Sequence, residues 1–227
     1  MLIAIPKLLS AEEIAHCRQV LDTSDWIDGK VTAGGQSARA KHNLQVPETA
    51  PKAKALGELI LSRLARSPTF MSAALPARVY PPMFNRYEAG MTFGAHIDNA
   101  VRFGDGTGPR YRTDLACTLF LSDQADYDGG ELVIEAAFGA QSVKLSAGDL
   151  VLYPASSVHR VQPVTRGSRW ASFFWVQSMV RDDGRRTLLY KLDQSIIAAR
   201  ADLSDNHRSV LGLAGAYHNL LRMWAEV

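Results

Sequence analysis

Residues 131–154 read ELVIEAAFGAQSVKLSAGDLVLYP, and in this stretch short apolar runs alternate with turn residues. Short runs rich in β-branched and aromatic side chains, bounded by Gly, Asp and Pro, are typical of β-strands. The same texture continues on both sides, so strands are predicted at 115–121, 131–135, 142–145, 150–153 and 170–177. Turn signals separate them at Asp128-Gly-Gly130, Phe138-Gly-Ala140 and Gly148-Asp149. Many short strands at this spacing predict a mainly β domain, either a sandwich or a jelly roll.

Helices are predicted before this β region. Ser10 and Glu13 form a capping box, which predicts a helix over 11–22 with Ile14, Cys17 and Leu21 on one face. Pro51 suits the first turn of a second helix. The apolar face of that helix would consist of Leu56, Leu59, Ile60 and Leu64. Residues 28–40 are rich in Gly, Ser and Ala, which predicts turns between the two helices.

After the β region, the charged run at 181–186 looks like a hinge. Beyond it, two apolar stripes at helical spacing predict a helical appendage over 183–227, with Ser204 or Asp205 as the cap of its second helix. The stripes need a partner surface, either the β domain or a second copy in a homodimer.

Composition excludes several functional classes. The chain has 227 residues, 47% apolar and 21% charged, and its net charge of +2 does not favour nucleic acid as a partner. Cys17 and Cys117 are the two cysteines, and they fit a reducing compartment better than a disulfide framework. The N-terminus is a poor signal peptide and no apolar run is long enough to span a membrane, so we expect a cytoplasmic protein without a membrane partner.

The sequence His96-Ile97-Asp98 predicts part of a metal site. On a strand, residues two apart point to the same face, so the imidazole and the carboxylate would converge. The third ligand must come from elsewhere, and His159, 61 positions after Asp98 and next to a predicted strand, is the natural candidate. Two histidines and one carboxylate on one face of a metal are typical of non-haem iron(II) oxygenases.

Arg169 strengthens this interpretation. It lies ten residues beyond His159 at the start of a strong predicted strand. Its guanidinium offers a rigid fork of donors that matches a carboxylate. A dicarboxylate that chelates iron at one end requires such a partner at its other end.

Longer motifs surround these residues. They are Phe84-Asn-Arg-Tyr87, Gly90-Met-Thr-Phe-Gly-Ala-His96-Ile-Asp98-Asn-Ala100, Asp128-Gly-Gly-Glu-Leu132, Ala147-Gly-Asp149, Tyr153-Pro154, His159-Arg-Val161 and Arg169-Trp-Ala-Ser-Phe-Phe-Trp-Val-Gln177. On these motifs the chain resembles the iron(II)/2-oxoglutarate dioxygenases of the prolyl 4-hydroxylase group, and more closely the bacterial PKHD-type hydroxylases. The resemblance covers nearly the whole chain, and its combination of spacings is highly specific.

The resemblance implies a double-stranded β-helix, a cupin-like jelly roll with flanking helices. Residues 1–77 would flank the barrel, 78–180 would form the catalytic core and 183–227 the helical appendage. It also implies that His96, Asp98 and His159 are the catalytic iron ligands. Arg169 and Tyr87 would then bind 2-oxoglutarate, with ascorbate keeping the iron reduced. Related halogenases have a small residue in place of the carboxylate, so Asp98 favours hydroxylation.

Weaker signals lie around this site. The loop at 101–113 contains four Gly or Pro residues and three arginines, Arg102, Arg110 and Arg112, so it is either a lid that binds an anionic or metal-chelating substrate or a solvated loop. Phe93 and Trp170 could wall the pocket, and Thr118 and Phe120 could line it, although core packing explains all four. We interpret the remaining histidines as structural or solvent-facing; they are His16, His42, His207 and His218.

The substrate and two rival functions remain open. The predicted oxygenase would hydroxylate a small molecule or a peptide side chain with release of succinate and CO2, and the resemblance suggests a link to bacterial iron uptake. One rival is a non-catalytic metal-binding or iron-sensing module on the same fold, and another is a cupin-type zinc hydrolase. Neither rival gives Arg169 a role.

Overall fold

The computed structural model describes residues 1–32, 34–104, 108–136 and 139–226. The helices are α1 (Ala11–Asp22), α2 (Gly35–Ala40), α3 (Pro51–Ala65), α4 (Pro68–Ala74), α5 (Asp183–Leu203) and α6 (Arg208–Trp224). The first eight strands are β1 (Ile3–Ile5), β2 (Ile27–Asp28), β3 (Lys41–His42), β4 (Leu44–Gln45), β5 (Pro76–Val79), β6 (Met83–Glu88), β7 (Thr92–His96) and β8 (Val101–Phe103). The other strands are β9 (Arg110–Arg112), β10 (Leu115–Phe120), β11 (Tyr127–Gly129), β12 (Leu132–Ala136), β13 (Gly139–Val143), β14 (Leu150–Pro154), β15 (His159–Val161) and β16 (Val164–Ser178).

Two antiparallel sheets form the body of the molecule. The larger sheet has the order β1-β14-β10-β16-β6-β4-β2, and the smaller one has the order β13-β12-β15-β7-β3. Strands adjacent in each sheet are mostly distant in sequence, as in a jelly roll. The predicted mainly β architecture is therefore confirmed, and the predicted strands differ from the observed ones chiefly at their ends.

Strand alternation gives the larger sheet two different faces. Along β16, Trp170, Phe174 and Val176 face outward and pack with the helices α1, α3 and α4. The side chains that alternate with them, including Trp175, face the smaller sheet and form a second core. Because successive side chains of a strand point to opposite faces, residue parity decides which side chains can reach a site between the sheets.

The N-terminal helices agree with the sequence prediction. Ser10 caps α1 and forms the capping box with Glu13. The second helix begins at Pro51, and its Leu56, Ile60 and Leu64 are buried. Residues 28–40, predicted as turns, instead contain a 3-10 helix at Gly29–Thr32 and the short helix α2.

The run at 181–186 is not a hinge, and this prediction was wrong. Asp182 caps α5, where its carboxylate accepts a hydrogen bond of 2.7 Å from the Arg185 amide. Arg186 is only 1% exposed, and it donates to the carbonyls of Val180 and Arg181. The density of charged residues predicted exposure to solvent. Instead, the run begins a helix, because Asp182 caps it and Arg186 binds backbone carbonyls.

The cap of the last helix also differs from the prediction. His207 is the N-cap of α6 and accepts from the Ser209 amide, whereas Ser204 ends α5 with a φ of 78°. None of the helices in the described part of the chain has the length and apolar character that a bilayer crossing requires.

The arginine-containing segment at 101–113 contains the hairpin β8–β9. The predicted lid loop includes residues 105–107, and the predicted turn at 138–140 includes Phe138; these positions lie outside the described residues.

Candidate metal centre

The smaller sheet brings the predicted ligands together. His96 ends β7 and His159 begins β15, and the two residues are direct partners in the antiparallel register. Asp98 follows two residues after His96, just beyond the end of the strand rather than within it. One ligand atom from each of the three side chains lies within 4.8 Å of the others. Residues 61 or more positions apart thus converge because β7 and β15 are neighbours.

Backbone carbonyls orient both imidazoles. The Nδ1 atom of His96 lies 2.8 Å from the carbonyl oxygen of Gly94. The Nδ1 atom of His159 lies 3.0 Å from the carbonyl oxygen of Ser157. Because each Nδ1 then carries the proton, each Nε2 is left as a lone-pair donor for a metal. The Phe93 ring also stacks on the His96 ring, with centroids 3.6 Å apart.

The electrostatics of the three side chains favour a bound cation. Burial, reinforced by the neighbouring His159, lowers the pKa of His96 to about 4, so this imidazole is a neutral donor at pH 7. Burial also raises the pKa of Asp98. Among the described residues, Asp98 Oδ2 has no hydrogen-bond partner, and it lies 3.8 Å from His159 Nε2. A buried carboxylate oxygen beside two imidazole nitrogens fits iron(II), which accepts this ligand set.

Arg169 is a buried cation without a counter-ion among the described residues. It is 1% exposed, and its guanidinium lies over the rings of Tyr87 and Phe120 at 5.5 and 5.2 Å. Within the described part of the chain, no carboxylate lies within salt-bridge distance of it, and its Nε has no hydrogen-bond partner. Since an unpaired buried charge is costly, a ligand carboxylate would complete this site.

Tyr87 lies beside Arg169 on the neighbouring strand. The two residues are partners in the register between β6 and β16. Burial raises the pKa of Tyr87 to about 12, so its hydroxyl keeps its proton and can donate to a ligand oxygen. Both residues line the same pocket as the three candidate ligands, and that pocket has a volume of about 790 Å³ including its open mouth.

The weaker predictions divide between this pocket and the rest of the molecule. Phe93 and Thr118 line the pocket. Trp170 does not wall it, because this residue faces outward and packs edge-to-face on Trp26 at 5.1 Å. Phe120 lies beneath Arg169 as part of the inner core.

The three loop arginines also have different surroundings. Arg102 lines the pocket. Arg112 instead forms ion pairs with Asp114 at 2.7 Å and with Glu226 at 3.0 Å, so it joins the hairpin to the C-terminal helices. Its predicted contribution to a substrate-binding charge cluster is therefore wrong. Arg110 lies over the exposed ring of Phe103.

The pocket residues that sequence reasoning missed include Lys41, Asn85 and Trp175. Asn85 and Trp175 belong to motifs that were recognised, and strand parity relative to Tyr87 and Arg169 could have placed them in the pocket. Lys41 lies in a two-residue strand within a stretch predicted as turns or left unassigned, and no periodic pattern marks it.

Comparisons with known proteins identify the family of the chain. A family model described as the 2OG-Fe(II) oxygenase superfamily matches residues 82–177. A second model, the PKHD-type hydroxylase C-terminal domain, matches residues 183–226. A PKHD-type hydroxylase from Gluconobacter oxydans is 60% identical over 227 residues, and one from Methylobacterium nodulans is 58% identical; both alignments cover 100% of each chain.

Solved structures share the fold at low sequence identity. A Pseudomonas putida prolyl-4-hydroxylase has a TM-score of 0.52 and 19% identity, over 78% of this chain and 92% of that one. A Trichoplax adhaerens prolyl hydroxylase in complex with a peptide fragment has a TM-score of 0.57 and 18% identity, over 82% and 86%. HygX from Streptomyces hygroscopicus, with nickel, 2-oxoglutarate and hygromycin B bound, has a TM-score of 0.55 and 17% identity, over 78% and 82%.

These structures confirm the double-stranded β-helix fold. The relatives that match from end to end establish the family. The chain belongs to the PKHD-type hydroxylases and is an iron(II)- and 2-oxoglutarate-dependent oxygenase.

Proposed function

We propose that His96, Asp98 and His159 hold the iron of this hydroxylase and that Arg169 and Tyr87 hold the distal carboxylate of 2-oxoglutarate. The observation that carries this proposal is that two buried charged groups without partners among the described residues line the same pocket. Asp98 offers a buried carboxylate oxygen without a hydrogen-bond partner in the described chain, and Arg169 offers a buried guanidinium without a carboxylate. Iron and a dicarboxylate satisfy both.

Bound iron(II) supplies the oxygen chemistry, in which dioxygen, 2-oxoglutarate and a C–H bond yield succinate, CO2 and an alcohol. The protein's own residues bind and orient the reactants. The carbonyls of Gly94 and Ser157 direct the two Nε2 atoms inward. His96, Asp98 and His159 would hold the metal and would leave room beside it for the keto acid. Because Asp98 occupies one ligand position, hydroxylation is favoured over halogenation.

The acceptor is a small molecule or a peptide side chain. Solved structures of this fold include one with a peptide fragment and one with hygromycin B, so the pocket type is compatible with either class. A link to bacterial iron uptake, a requirement for ascorbate, a homodimer and the absence of a nucleic-acid partner stay predictions. So do the three-part division at 77 and 183 and the cytoplasmic location, for which the free, buried Cys17 and Cys117 are the support.

The experiment is anaerobic titration of the purified protein with iron(II) and then 2-oxoglutarate, monitoring the visible charge-transfer band of the chelated keto acid. We expect a band in the wild type and its loss in Asp98→Ala. In Arg169→Met the affinity for 2-oxoglutarate should fall by about tenfold or more, because a hydrogen-bonded charge contributes about 1.5–3 kcal/mol.

Arg166→Met is the matched control. Arg166 lies on the same strand as Arg169, but it is largely exposed and pairs with Asp128 at the surface. Its replacement should leave the band and the 2-oxoglutarate affinity unchanged. A band of wild-type strength in Asp98→Ala, or no band in folded, metal-loaded wild-type protein, would contradict the proposal.

A further inference from the structure

A buried lysine lines the metal pocket. Lys41 is 5% exposed, and its strand β3 pairs with β7 so that Lys41 faces Phe93. Its Nζ donates to Gln45 Oε1 at 2.6 Å and to Thr32 Oγ1 at 3.0 Å. The ammonium also lies 5.4 and 5.6 Å from the ring centroids of Phe93 and Phe173. It is therefore held in a defined position and lines the pocket rather than extending into solvent.

Lys41 has no ion-pair partner within salt-bridge distance in the described structure. No carboxylate of the described chain lies within salt-bridge distance of its Nζ, and two neutral oxygens accept two of its three N–H groups. The neighbouring cation, Arg102, differs because Glu48 pairs with it at 3.4 Å. A buried ammonium that retains a free N–H and has no anionic partner destabilises the fold. We therefore expect an anion from outside the chain to pair with it.

The proposed cofactors do not supply this anion. Among the described residues that line the pocket, Asp98 is the single acidic one, and in the proposed function it binds iron. The same function commits one carboxylate of 2-oxoglutarate to Arg169 and the other to the metal. Lys41 lies beside Phe173, four residues along the inner face of β16 from Arg169. At about 3.3 Å per strand residue, Phe173 and Arg169 are about 13 Å apart along β16.

We propose that Lys41 binds a carboxylate of the primary substrate and thereby orients the carbon that is hydroxylated. This inference rests on the proposed function, which already assigns Asp98 to iron and Arg169 to 2-oxoglutarate. It restricts the acceptor to molecules that carry an anionic oxygen group near the reacting carbon. Lys41 is then a specificity-determining residue, with Gln45 and Thr32 fixing its amine.

The test uses N-acetylglycine as a minimal carboxylate probe and N-acetylglycinamide as its neutral match. Each probe is titrated into full-length protein loaded with Mn(II) and saturating 2-oxoglutarate. Paramagnetic relaxation of the acetyl protons reports binding close to the metal, without turnover. We expect the wild type to bind the carboxylate about tenfold or more tightly than the amide, since charge-assisted hydrogen bonds are the stronger ones.

Lys41→Met should remove this preference, and Lys41→Gln provides a second variant that keeps a polar group beside Gln45 and Thr32. Lys54→Met, at an exposed position on α3, should retain the wild-type preference. Equal affinity of the wild type for both probes would overturn the inference, as would a preference that persists in both Lys41 variants.

The 2-oxoglutarate band separates this inference from the proposed function. If the band forms equally in the wild type and in Lys41→Met while the probe preference is lost, the inference holds. If Lys41→Met weakens 2-oxoglutarate binding and leaves the probe preference unchanged, Lys41 serves the keto acid and the inference is wrong. If the wild type forms no band, the proposed function itself fails.

Discussion

At the scale of single residues, Lys41, Asp98 and Arg169 stand out as charged side chains that line one pocket. Each is nearly buried, and none has an ordinary ion-pair partner among the described residues; the nearest contact, between Asp98 and His159, is 3.8 Å long. Structural arginines in the same chain are different, because Arg112 and Arg186 make short contacts with carboxylates and carbonyls. A buried charge without an ion-pair partner thus indicates a residue that binds a ligand.

This burial predicts how Lys41 affects stability as the pH changes. Burial, with a further contribution from Arg102, lowers the pKa of Lys41 to about 8. An unfolded lysine titrates near about 10.4, so between these values the unfolded chain binds more protons than the folded one. In that window the contribution of Lys41 to stability therefore rises with pH, and below it the buried ammonium is destabilising.

The measurement is urea unfolding of the wild type and Lys41→Met in the apo form. The free energy of unfolding of the wild type, relative to the variant, should increase by on the order of 2 kcal/mol between about pH 7.5 and pH 10. Taking the difference between the two proteins cancels the contributions of the tyrosines and cysteines, which titrate in both. A difference that stays flat over this range would show that Lys41 keeps an ordinary pKa.

At the scale of elements, the turn between β11 and β12 packs closely against the Arg169 side chain. Gly130 has a φ of 66°, a conformation that favours glycine. A Cβ at this position would lie 2.9 Å from Val164, 3.0 Å from Tyr127 and 3.2 Å from the Cδ of Arg169. Gly90 also has a positive φ, of 85°, but a Cβ added there would meet no atom within 4 Å.

Replacing Gly130 and Gly90 in turn should distinguish backbone strain from steric crowding. Gly90→Ala should lose about 1 kcal/mol of stability, because alanine disfavours a positive φ, and Gly130→Ala should lose more because its Cβ also meets neighbouring atoms. Only Gly130→Ala displaces the Arg169 side chain, so only this variant should weaken 2-oxoglutarate binding by several-fold in the anaerobic titration. Equal 2-oxoglutarate affinity in the two variants would show that this turn does not position Arg169.

At the scale of the whole molecule, the C-terminal helices are joined to the end of the long strand β16. Leu75, Val180 and Leu189 form a small core with Tyr217 and Trp224. The amide of Glu226 donates to the carbonyl of Met179 at 2.7 Å, and its carboxylate pairs with Arg112. The tail is therefore packed on the β domain rather than connected to it by a free linker.

Arg186 should be the strongest single contributor to this junction. Arg186→Met leaves the carbonyls of Val180 and Arg181 without their donor, which should destabilise the protein by about 2 kcal/mol in urea unfolding. Arg185→Met is the control, because Arg185 is exposed and its guanidinium lies over the Trp224 ring at 5.4 Å. Both folded variants should form the 2-oxoglutarate band, since the junction lies away from the pocket. A stability of Arg186→Met equal to that of Arg185→Met would contradict this role.

Local sequence patterns were sufficient for a large part of the molecule. The capping box at Ser10, the proline at position 51 and the alternation in the strands depend on interactions within a few residues, so they can be read from the chain alone. The candidate ligand set could be proposed for the same reason, because the spacing of His96 and Asp98 and the chemistry of His159 and Arg169 are visible in one dimension. Family membership also followed from these motifs.

Tertiary structure decided what depends on register and on the crossing of strands. The pairing of β7 with β15 sets His96 opposite His159, and the packing of β16 between the helices and the smaller sheet decides which of its two faces meets the pocket. Lys41 reaches the pocket because a two-residue strand pairs with β7. Contacts of this kind join residues far apart in sequence, and a shift of one residue reverses a side chain's face, so no local pattern could encode them.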